Sequence, residues 1–188
     1  VQKFGGTSVG TVDRIDSVAE IIKNASKSNT IVVVVSAMGG ETNRLVDLAK
    51  AFGDDPDKRE FDALVSTGET VSSALLTMAL HSKGVKAKSF SASQISMRTT
   101  SSYSRAKILD VDAKKILGVV DSDMIPIITG FQGVTEGGDV TTLGRGGSDT
   151  TAVAIAAQIK AIRCDIYTDV DGIFTTDPGV VANAKKLD

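Results

Sequence analysis

The sequence is poor in cysteine, histidine and aromatic residues. It has one cysteine, one histidine and no tryptophan among 188 residues, and aromatic residues make up 4%. The single Cys164 excludes an intrachain disulfide and a thiolate metal cluster, and a buried, inert thiol is the favoured interpretation. So few aromatic rings offer no base-stacking platform for nucleic acid. The core must therefore be aliphatic.

An excess of charge of one sign and long apolar runs are also missing. The 21 Lys and Arg residues against 23 Asp and Glu give a net charge of −2, so neither nucleic acid nor a membrane surface is expected as a partner. No apolar run approaches the ~20 residues of a membrane span. No signal peptide is recognisable, which favours a cytoplasmic location.

The length and the two ends bound the domain organisation. An apolar fraction of 41% in 188 residues suffices for one domain with its own core. Val1 already begins an extended segment, and the residues after Gly179 stop without a closing element. The chain is therefore expected to be a fragment of a longer protein.

Strand and helix patterns alternate along the chain. Residues 31–35 are a β-branched run that is apolar on both faces, as a buried parallel strand requires. The serine-rich segment 91–105 predicts a surface loop or short hairpin, not a core element. The patterns predict further strands at 1–5, 86–90, 124–129 and 163–168, a hairpin at 134–141, and helices at 12–22, 41–52, 58–65, 70–82, 112–120 and 150–160. This alternation favours a three-layer α/β/α sandwich on a mainly parallel sheet.

The segment 143–151 combines three glycines with one arginine directly before a helix. Glycine lets the backbone approach a ligand, a helix N-terminus attracts anions, and Arg145 offers a planar fork for carboxylate or phosphate. These features predict an anion-binding corner. A tight glycine turn capped by Ser148 or Asp149 is the structural alternative.

Four further polar loops follow predicted strands or precede helices, at 3–8, 36–43, 130–132 and 168–177. In a parallel sheet, ligands bind at the carboxyl ends of the strands. Lys3 with the two glycines after it predicts a phosphate cradle, and a strand-end turn is the alternative. The loop is not a Walker A motif, because that pattern occurs nowhere in the chain.

A hydrolase is a rival interpretation, because residues 6–10 match the G-x-S-x-G pattern of a nucleophile elbow. A triad needs a histidine late in the chain, and no histidine follows His81, which is predicted to face solvent at a helix end. The hydrolase hypothesis is therefore disfavoured.

Acidic residues near the predicted loops have two interpretations each. Glu69 lies three residues after Ser66, so the pair could be a capping box or Glu69 could bind a ligand. Asp169, Asp171 and Asp177 could hold Mg²⁺ or a ribose hydroxyl, or could simply form turns.

Several motifs together resemble those of aspartate kinases over nearly the whole chain. They are residues 3–8 (KFGGTS), 35–38 (VSAM), 41–45 (ETNRL), 66–69 (STGE), 144–149 (GRGGSD) and 167–178 (YTDVDGIFTTDP). The resemblance implies the amino-acid kinase fold, with residues 1–188 as a partial catalytic domain. The rest of the kinase domain and the regulatory ACT domains would lie outside the chain, and the intact protein is expected to form a homo-oligomer through them.

The resemblance also implies an activity and a cofactor. The reaction would transfer the γ-phosphoryl group of ATP, with Mg²⁺, to the side-chain carboxylate of L-aspartate, the first step of lysine, threonine and methionine biosynthesis. The acceptor has a pKa of about 3.9 and is already ionised at neutral pH, so no general base is needed. Positioning and charge neutralisation would then supply most of the catalysis.

Individual roles follow from the matched positions. Lys3 and Asp149 are implied to be catalytic, with Asp149 orienting Lys3 by an ion pair. The implied aspartate-binding residues are Thr42, Glu69, Arg145, Gly146, Gly147 and Ser148, with Arg145 on a carboxylate and Glu69 on the ammonium. The implied nucleotide-binding residues are Lys3, Phe4, Gly5, Gly6, Ser36, Thr168, Asp169, Phe174, Thr175, Thr176, Asp177 and Pro178. No residue is assigned as a metal ligand.

Two alternatives to aspartate phosphorylation stay open. One is another amino-acid kinase, acting on glutamate or acetylglutamate. The other is a non-catalytic module that binds a nucleotide or an amino acid. Arg145 together with Glu69 favours a free α-amino acid, since one matches a carboxylate and the other an ammonium.

Overall fold

A computed structural model describes residues 1–169 together with Asn183 and Lys185. Strands and helices alternate through most of this part of the chain. In chain order the elements are β1 (Gln2–Phe4), α1 (Val12–Ser26), β2 (Val33–Val35), α2 (Glu41–Lys50), α3 (Lys58–Val65), α4 (Thr67–Ser82), β3 (Ala87–Phe90), β4 (Arg98–Thr99), β5 (Ile108–Asp110), α5 (Ala113–Val120), β6 (Ile125–Thr129), β7 (Gln132–Val134), β8 (Val140–Thr142), α6 (Gly147–Gln158) and β9 (Asp165–Tyr167).

The central sheet has the strand order β3-β6-β2-β1-β9, and every pair in it is parallel. Strand β1 lies between β2 and β9, with Phe4 opposite both Val35 and Tyr167. All residues of β2 are buried. The valine run therefore forms the expected interior parallel strand at the centre of the sheet, and the neighbouring β1 delivers Lys3 and the glycines that follow it to the carboxyl edge of the sheet.

Helices cover both faces of this sheet. Val33 and Val35 pack with α1 and α4 in one hydrophobic cluster, whereas Val32 and Val34 pack with α5 and α6 in another. Alternate side chains of one strand thus enter two cores, which is why this strand needs apolar residues at every position. The predicted three-layer sandwich is confirmed.

A second sheet, of order β5-β4-β7-β8, lies beside the first. Its β7–β8 pair is the predicted hairpin. The segment 91–105 was predicted as a surface loop or short hairpin outside the core. Its strand β4 does pair antiparallel with β5, but its exclusion from the core was wrong, because Ala92, Ile95 and Met97 are at most 2% exposed and belong to the α5–α6 core. Three apolar residues spaced among serines are enough to bury this segment.

Several local predictions need smaller corrections. Helix α6 begins at Gly147 rather than Thr150, and its N-cap is Gly146, so neither Ser148 nor Asp149 caps it. Cys164 is half-buried rather than buried, and this partial burial raises the pKa of its thiol.

The segment 58–82 is long and apolar enough to cross a membrane by length and composition, which the sequence patterns did not indicate. It consists of α3 and α4, and half of its most apolar window is buried in the fold. Asp62 and Glu69 are also buried in this segment. The packing of α4 against α1 and the central sheet is that of a core helix.

Candidate active site

Five polar loops meet in one cleft of about 450 Å³ at the carboxyl edge of the central sheet. These are the five loops that the sequence placed at one edge of the sheet, and their convergence is confirmed for the described residues, which include only Thr168 and Asp169 of the fifth loop. Of the predicted site residues, the cleft is lined by Lys3, Gly5, Gly6, Ser36, Thr42, Glu69, Arg145, Gly146, Gly147, Ser148, Asp149, Thr168 and Asp169.

The remaining predicted site residues are not in this cleft or cannot be placed. Phe4 is fully buried in the core, where its ring stacks on Tyr167 at 4.5 Å. Its side chain therefore packs in the core beneath the 3–8 loop rather than lining the cleft. The predicted nucleotide contacts Phe174, Thr175, Thr176, Asp177 and Pro178 lie outside the described residues.

Lys3 and Asp149 form an ion pair at the centre of the cleft. The ammonium Nζ lies 2.7 Å from Asp149 Oδ1, and the two side chains are 8% and 45% exposed. Lys3 comes from β1, an interior strand of the sheet, and Asp149 comes from the first turn of α6. The two loops converge as predicted, and the ion pair holds the nearly buried Lys3 ammonium beside Gly5 and Gly6.

Glu69 is the buried carboxylate on the other side of the cleft, and it is 3% exposed. Its Oε1 accepts a hydrogen bond from the backbone N–H of Ala37 at 3.0 Å. Its Oε2 is buried and has no hydrogen-bond partner within the part of the chain that the structure describes. Burial raises the pKa of Glu69 to about 7, against the opposing effect of its backbone hydrogen bonds.

The capping-box interpretation of Glu69 was wrong. Ser66 has helical dihedral angles and makes no side-chain cap bond. Its hydroxyl donates to the carbonyl of Ala63 instead. Helix α4 begins directly after α3, so Glu69 lies in its first turn, and its carboxylate reaches the loop after β2.

Close packing sets the position of Glu69. A Cβ atom at Gly68 would lie 2.7 Å from Cβ of Ala37, so only glycine lets α4 approach the loop after β2 so closely. One turn further along, the Ser72 hydroxyl donates to the carbonyl of Ser36 at 2.6 Å. These contacts hold Glu69 and the 36–38 backbone as one unit.

Two helix N-termini without side-chain caps border the cleft. The N-caps of α2 and α6 are Gly40 and Gly146, and neither makes a side-chain cap bond. By contrast, the N-cap Thr11 of α1 accepts a hydrogen bond from Arg14 N–H. Exposed Arg145 directly precedes the α6 N-cap. Free N–H donors, two positive dipole ends and a guanidinium make this side of the cleft suited to anions.

Sequence reasoning missed some of the residues that form the cleft. No role was assigned to the backbone of Ala37, which binds Glu69, or to Phe131, Met38 and Gly40, which line the cleft. The 130–132 and 36–43 loops were predicted as polar loops, but the side-chain pattern of a sequence does not indicate which backbone N–H groups will donate hydrogen bonds.

A metal site formed by protein ligands alone is not found in the described part of the chain, which has no group of three or more His, Cys, Asp or Glu residues suited to one. The carboxylates of Asp149 and Asp169 line the cleft. Mg²⁺ commonly binds through one or two carboxylates together with substrate phosphates. This donor set therefore fits Mg²⁺ that arrives with a nucleotide.

The sequence profile of the amino acid kinase family matches residues 1–188, and the chain belongs to that family. It is 57% identical over its whole length to aspartate kinase Ask_LysC of Stutzerimonas stutzeri (strain A1501), of which it covers 46%. It is 53% identical over its whole length to aspartokinase 2 of Bacillus subtilis (strain 168), again over 46% of the relative. The chain thus spans about half the length of the curated relatives it matches.

The fold agrees with solved structures of similar proteins. Aspartokinase III of E. coli in complex with aspartate and ADP superposes on all of this chain with a TM-score of 0.86 and 33% identity. The match covers 53% of that protein. The aspartate kinase from Synechocystis is 48% identical and gives a TM-score of 0.78 over 98% of this chain and 30% of its own.

Proposed function

We propose that the protein is an aspartate kinase and that residues 1–188 form part of its catalytic domain. It would transfer the γ-phosphoryl group of ATP to the side-chain carboxylate of L-aspartate, giving 4-phospho-L-aspartate and ADP. Relatives of that name match the whole chain, and one similar protein was solved with aspartate and ADP.

The unpaired Oε2 of Glu69 is the observation that carries the proposal. A buried carboxylate oxygen without a partner is costly, and a cationic ligand would offset that cost. Arg145 lines the same cleft and matches a carboxylate. A free α-amino acid carries both groups, whereas an N-acetylated one lacks the ammonium.

The Lys3–Asp149 pair supports the phosphoryl-transfer step. Bringing an anionic acceptor to an anionic phosphate requires positive charge that is already in place. Lys3 supplies that charge, Asp149 orients it, and the glycine loop leaves room for the phosphates. Mg²⁺ bound with ATP would neutralise further charge on the phosphates.

ADP release by the full-length gene product tests this proposal. ATP and Mg²⁺ are supplied with L-aspartate, L-glutamate or N-acetyl-L-glutamate. We expect turnover with L-aspartate and little with the other two. Turnover with glutamate or N-acetylglutamate and none with aspartate would contradict the proposal in favour of another amino-acid kinase. Absence of turnover with all three would favour a binding module.

A further inference from the structure

A second buried carboxylate, that of Asp62, lies outside the cleft. It is on α3 and is 0% exposed. Its hydrogen bonds come from two residues that are distant in sequence. The Ser104 N–H donates to Oδ2 at 2.8 Å and to Oδ1 at 3.0 Å, and the Ser104 hydroxyl donates to Oδ1 at 3.1 Å. The Thr142 N–H donates to Oδ2 at 2.8 Å, and its hydroxyl donates to Oδ1 at 2.9 Å.

The two partners of Asp62 both border the corner that carries Arg145. Thr142 is the last residue of β8, three positions before Arg145. The carbonyl oxygen of Ser104 lies 3.2 Å from where a Cβ of Gly144 would be. Gly144 itself has a φ of +82°, which favours glycine. The backbone on either side of this corner is therefore tied to α3.

Ser104 also adopts an unfavourable backbone conformation. Its φ is +65°, in the left-handed region that a residue with a side chain seldom occupies. Such a conformation persists only where surrounding contacts hold it. The Ser104 hydrogen bonds to Asp62 act together with the Ala106 N–H bond to the Thr142 carbonyl, so Asp62 helps to determine the path of the chain that packs against Gly144.

The C-terminal end of α3 leads to Glu69. The carbonyl of Ser66, where α3 meets α4, accepts a hydrogen bond from Nε2 of Gln132. The same amide nitrogen lies 3.3 Å from Oγ1 of Thr70, and Thr129 Oγ1 donates to Gln132 Oε1 at 2.8 Å. Asp62 lies in the middle of α3, one helical turn before Ser66, so the tie to the Arg145 corner and the bond to Gln132 fix adjacent turns of the helix that leads to Glu69.

We infer that Asp62 is a positioning residue that sets the separation between Arg145 and Glu69. This role rests on the proposed function, in which these two side chains bind the two ends of one amino acid. Asp62 touches neither substrate. It acts by holding the Arg145 corner at a defined distance from the helix pair that carries Glu69, and it does so with the geometry of its two acceptor oxygens rather than with its charge.

The hydrogen-bond pattern allows geometry and charge to be separated. Both backbone N–H groups reach Oδ2, and both hydroxyls reach Oδ1. In Asp62→Asn, an amide oxygen at the Oδ2 position can accept from both N–H groups, while its NH₂ donates to the two hydroxyl oxygens and only the longer 3.0 Å bond from the Ser104 N–H is lost. Asp62→Ala leaves all of these groups without a partner.

Steady-state kinetics of the full-length gene product tests the inference. We expect Asp62→Ala to raise the KM for aspartate about tenfold or more, since several buried hydrogen bonds are lost, and to leave the KM for ATP within about twofold. Asp62→Asn should keep both KM values within about threefold of the unaltered protein. Calorimetric affinity for aspartate provides the same comparison without turnover.

A second pair of variants keeps the test decisive if Asp62→Ala does not fold. Thr142→Val removes one hydroxyl bond to Asp62, whereas Thr142→Ser retains it. We expect Thr142→Val to raise the KM for aspartate about fivefold and Thr142→Ser to leave it unchanged.

Three results would overturn the inference. One is a loss of stability and of kcat in Asp62→Ala with both KM values unchanged. Another is an equal rise in both KM values. The third is an Asp62→Asn variant as impaired as Asp62→Ala. Failure of the unaltered protein to phosphorylate aspartate would instead overturn the proposed function, so the two failures are distinguishable.

Discussion

The two halves of the cleft differ in how their charges are paired. In the phosphate half (Lys3, Gly5, Gly6 and Asp149), the Lys3 ammonium already lies 2.7 Å from the Asp149 carboxylate. In the amino-acid half (Thr42, Glu69, Arg145 and Ser148), Glu69 Oε2 is buried and has no hydrogen-bond partner among the described residues. The phosphate half thus already contains an ion pair, whereas in the amino-acid half the ammonium of the proposed substrate would supply the partner of Oε2.

This difference separates two contributions to the proposed reaction. A preoriented cation stabilises charge in the transition state and therefore acts on kcat. An unpaired carboxylate and an exposed guanidinium gain partners when the substrate binds and therefore act on its affinity. Substitutions in the two halves should accordingly change different kinetic constants.

Removal of the Lys3 charge should have the largest effect. We expect Lys3→Met to lower kcat about 10³-fold, because the transferring phosphoryl group loses its preoriented cation, with a much smaller change in the KM for aspartate. Steady-state ADP release at saturating substrates measures this change. Exposed Lys50 at the end of α2 provides the matched control; a Lys50→Met variant as inactive as Lys3→Met would contradict the role of Lys3.

Replacement of Arg145 should affect the other half. In Arg145→Lys the charge stays but the bidentate fork is lost, so we expect the KM for aspartate to rise about 10- to 100-fold and the KM for ATP to change little. The same substitution at the exposed Arg163, whose side chain is 80% exposed, should leave both constants unchanged. Equal losses of affinity for the two substrates would refute the assignment of Arg145 to aspartate.

Acidification should weaken aspartate binding through Glu69. Burial raises the pKa of this carboxyl to about 7, so the carboxylate that pairs with the ammonium is lost as the pH falls through about 7. Between pH 8 and pH 6 we expect the KM for aspartate to rise about tenfold, one decade for each unit below the pKa. Glu69→Gln should remove this dependence and bind aspartate weakly at both pH values. An unaltered pH profile in Glu69→Gln would show that another group titrates.

Loss of the Asp149 charge should have the smallest effect. Asp149 acts through Lys3 and is 45% exposed, so solvent already screens part of the pair. We expect Asp149→Asn to lower kcat about fivefold and to leave the KM for aspartate unchanged. Asp123→Asn breaks the exposed Lys86–Asp123 pair and should change neither constant. A larger effect on aspartate affinity than on kcat would contradict the assignment of Asp149 to the phosphate half and would indicate that it belongs to the amino-acid half.

Much of this arrangement could be predicted from local patterns. The valine run of β2 indicated burial on both faces, because no polar residue interrupts it. Glycine-bearing loops after successive parallel strands indicated a shared edge, since parallel strands end on the same side of a sheet. The Lys3–Asp149 pairing followed from the family resemblance, and the structure confirms the contact.

Other features depend on contacts between distant parts of the chain. Ser66 and Glu69 have the spacing of a capping box, yet Glu69 binds the backbone of Ala37, 32 residues away. Asp62 has the appearance of an ordinary acidic residue of an amphipathic helix, but its partners lie 42 and 80 residues away. Whether a carboxylate accepts from a local or a distant N–H donor depends on tertiary packing, and local sequence spacing does not predict that packing.

Calorimetric binding of L-aspartate and N-acetyl-L-aspartate at pH 8 tests the central claim most directly. The two ligands differ in the ammonium that Glu69 is proposed to bind. We predict that the unaltered protein binds L-aspartate about 100-fold more tightly, as expected for a buried charged hydrogen bond, and that Glu69→Gln loses most of this preference. Equal affinity of the unaltered protein for both ligands would contradict the claim that the amino-acid half is completed by an ammonium group.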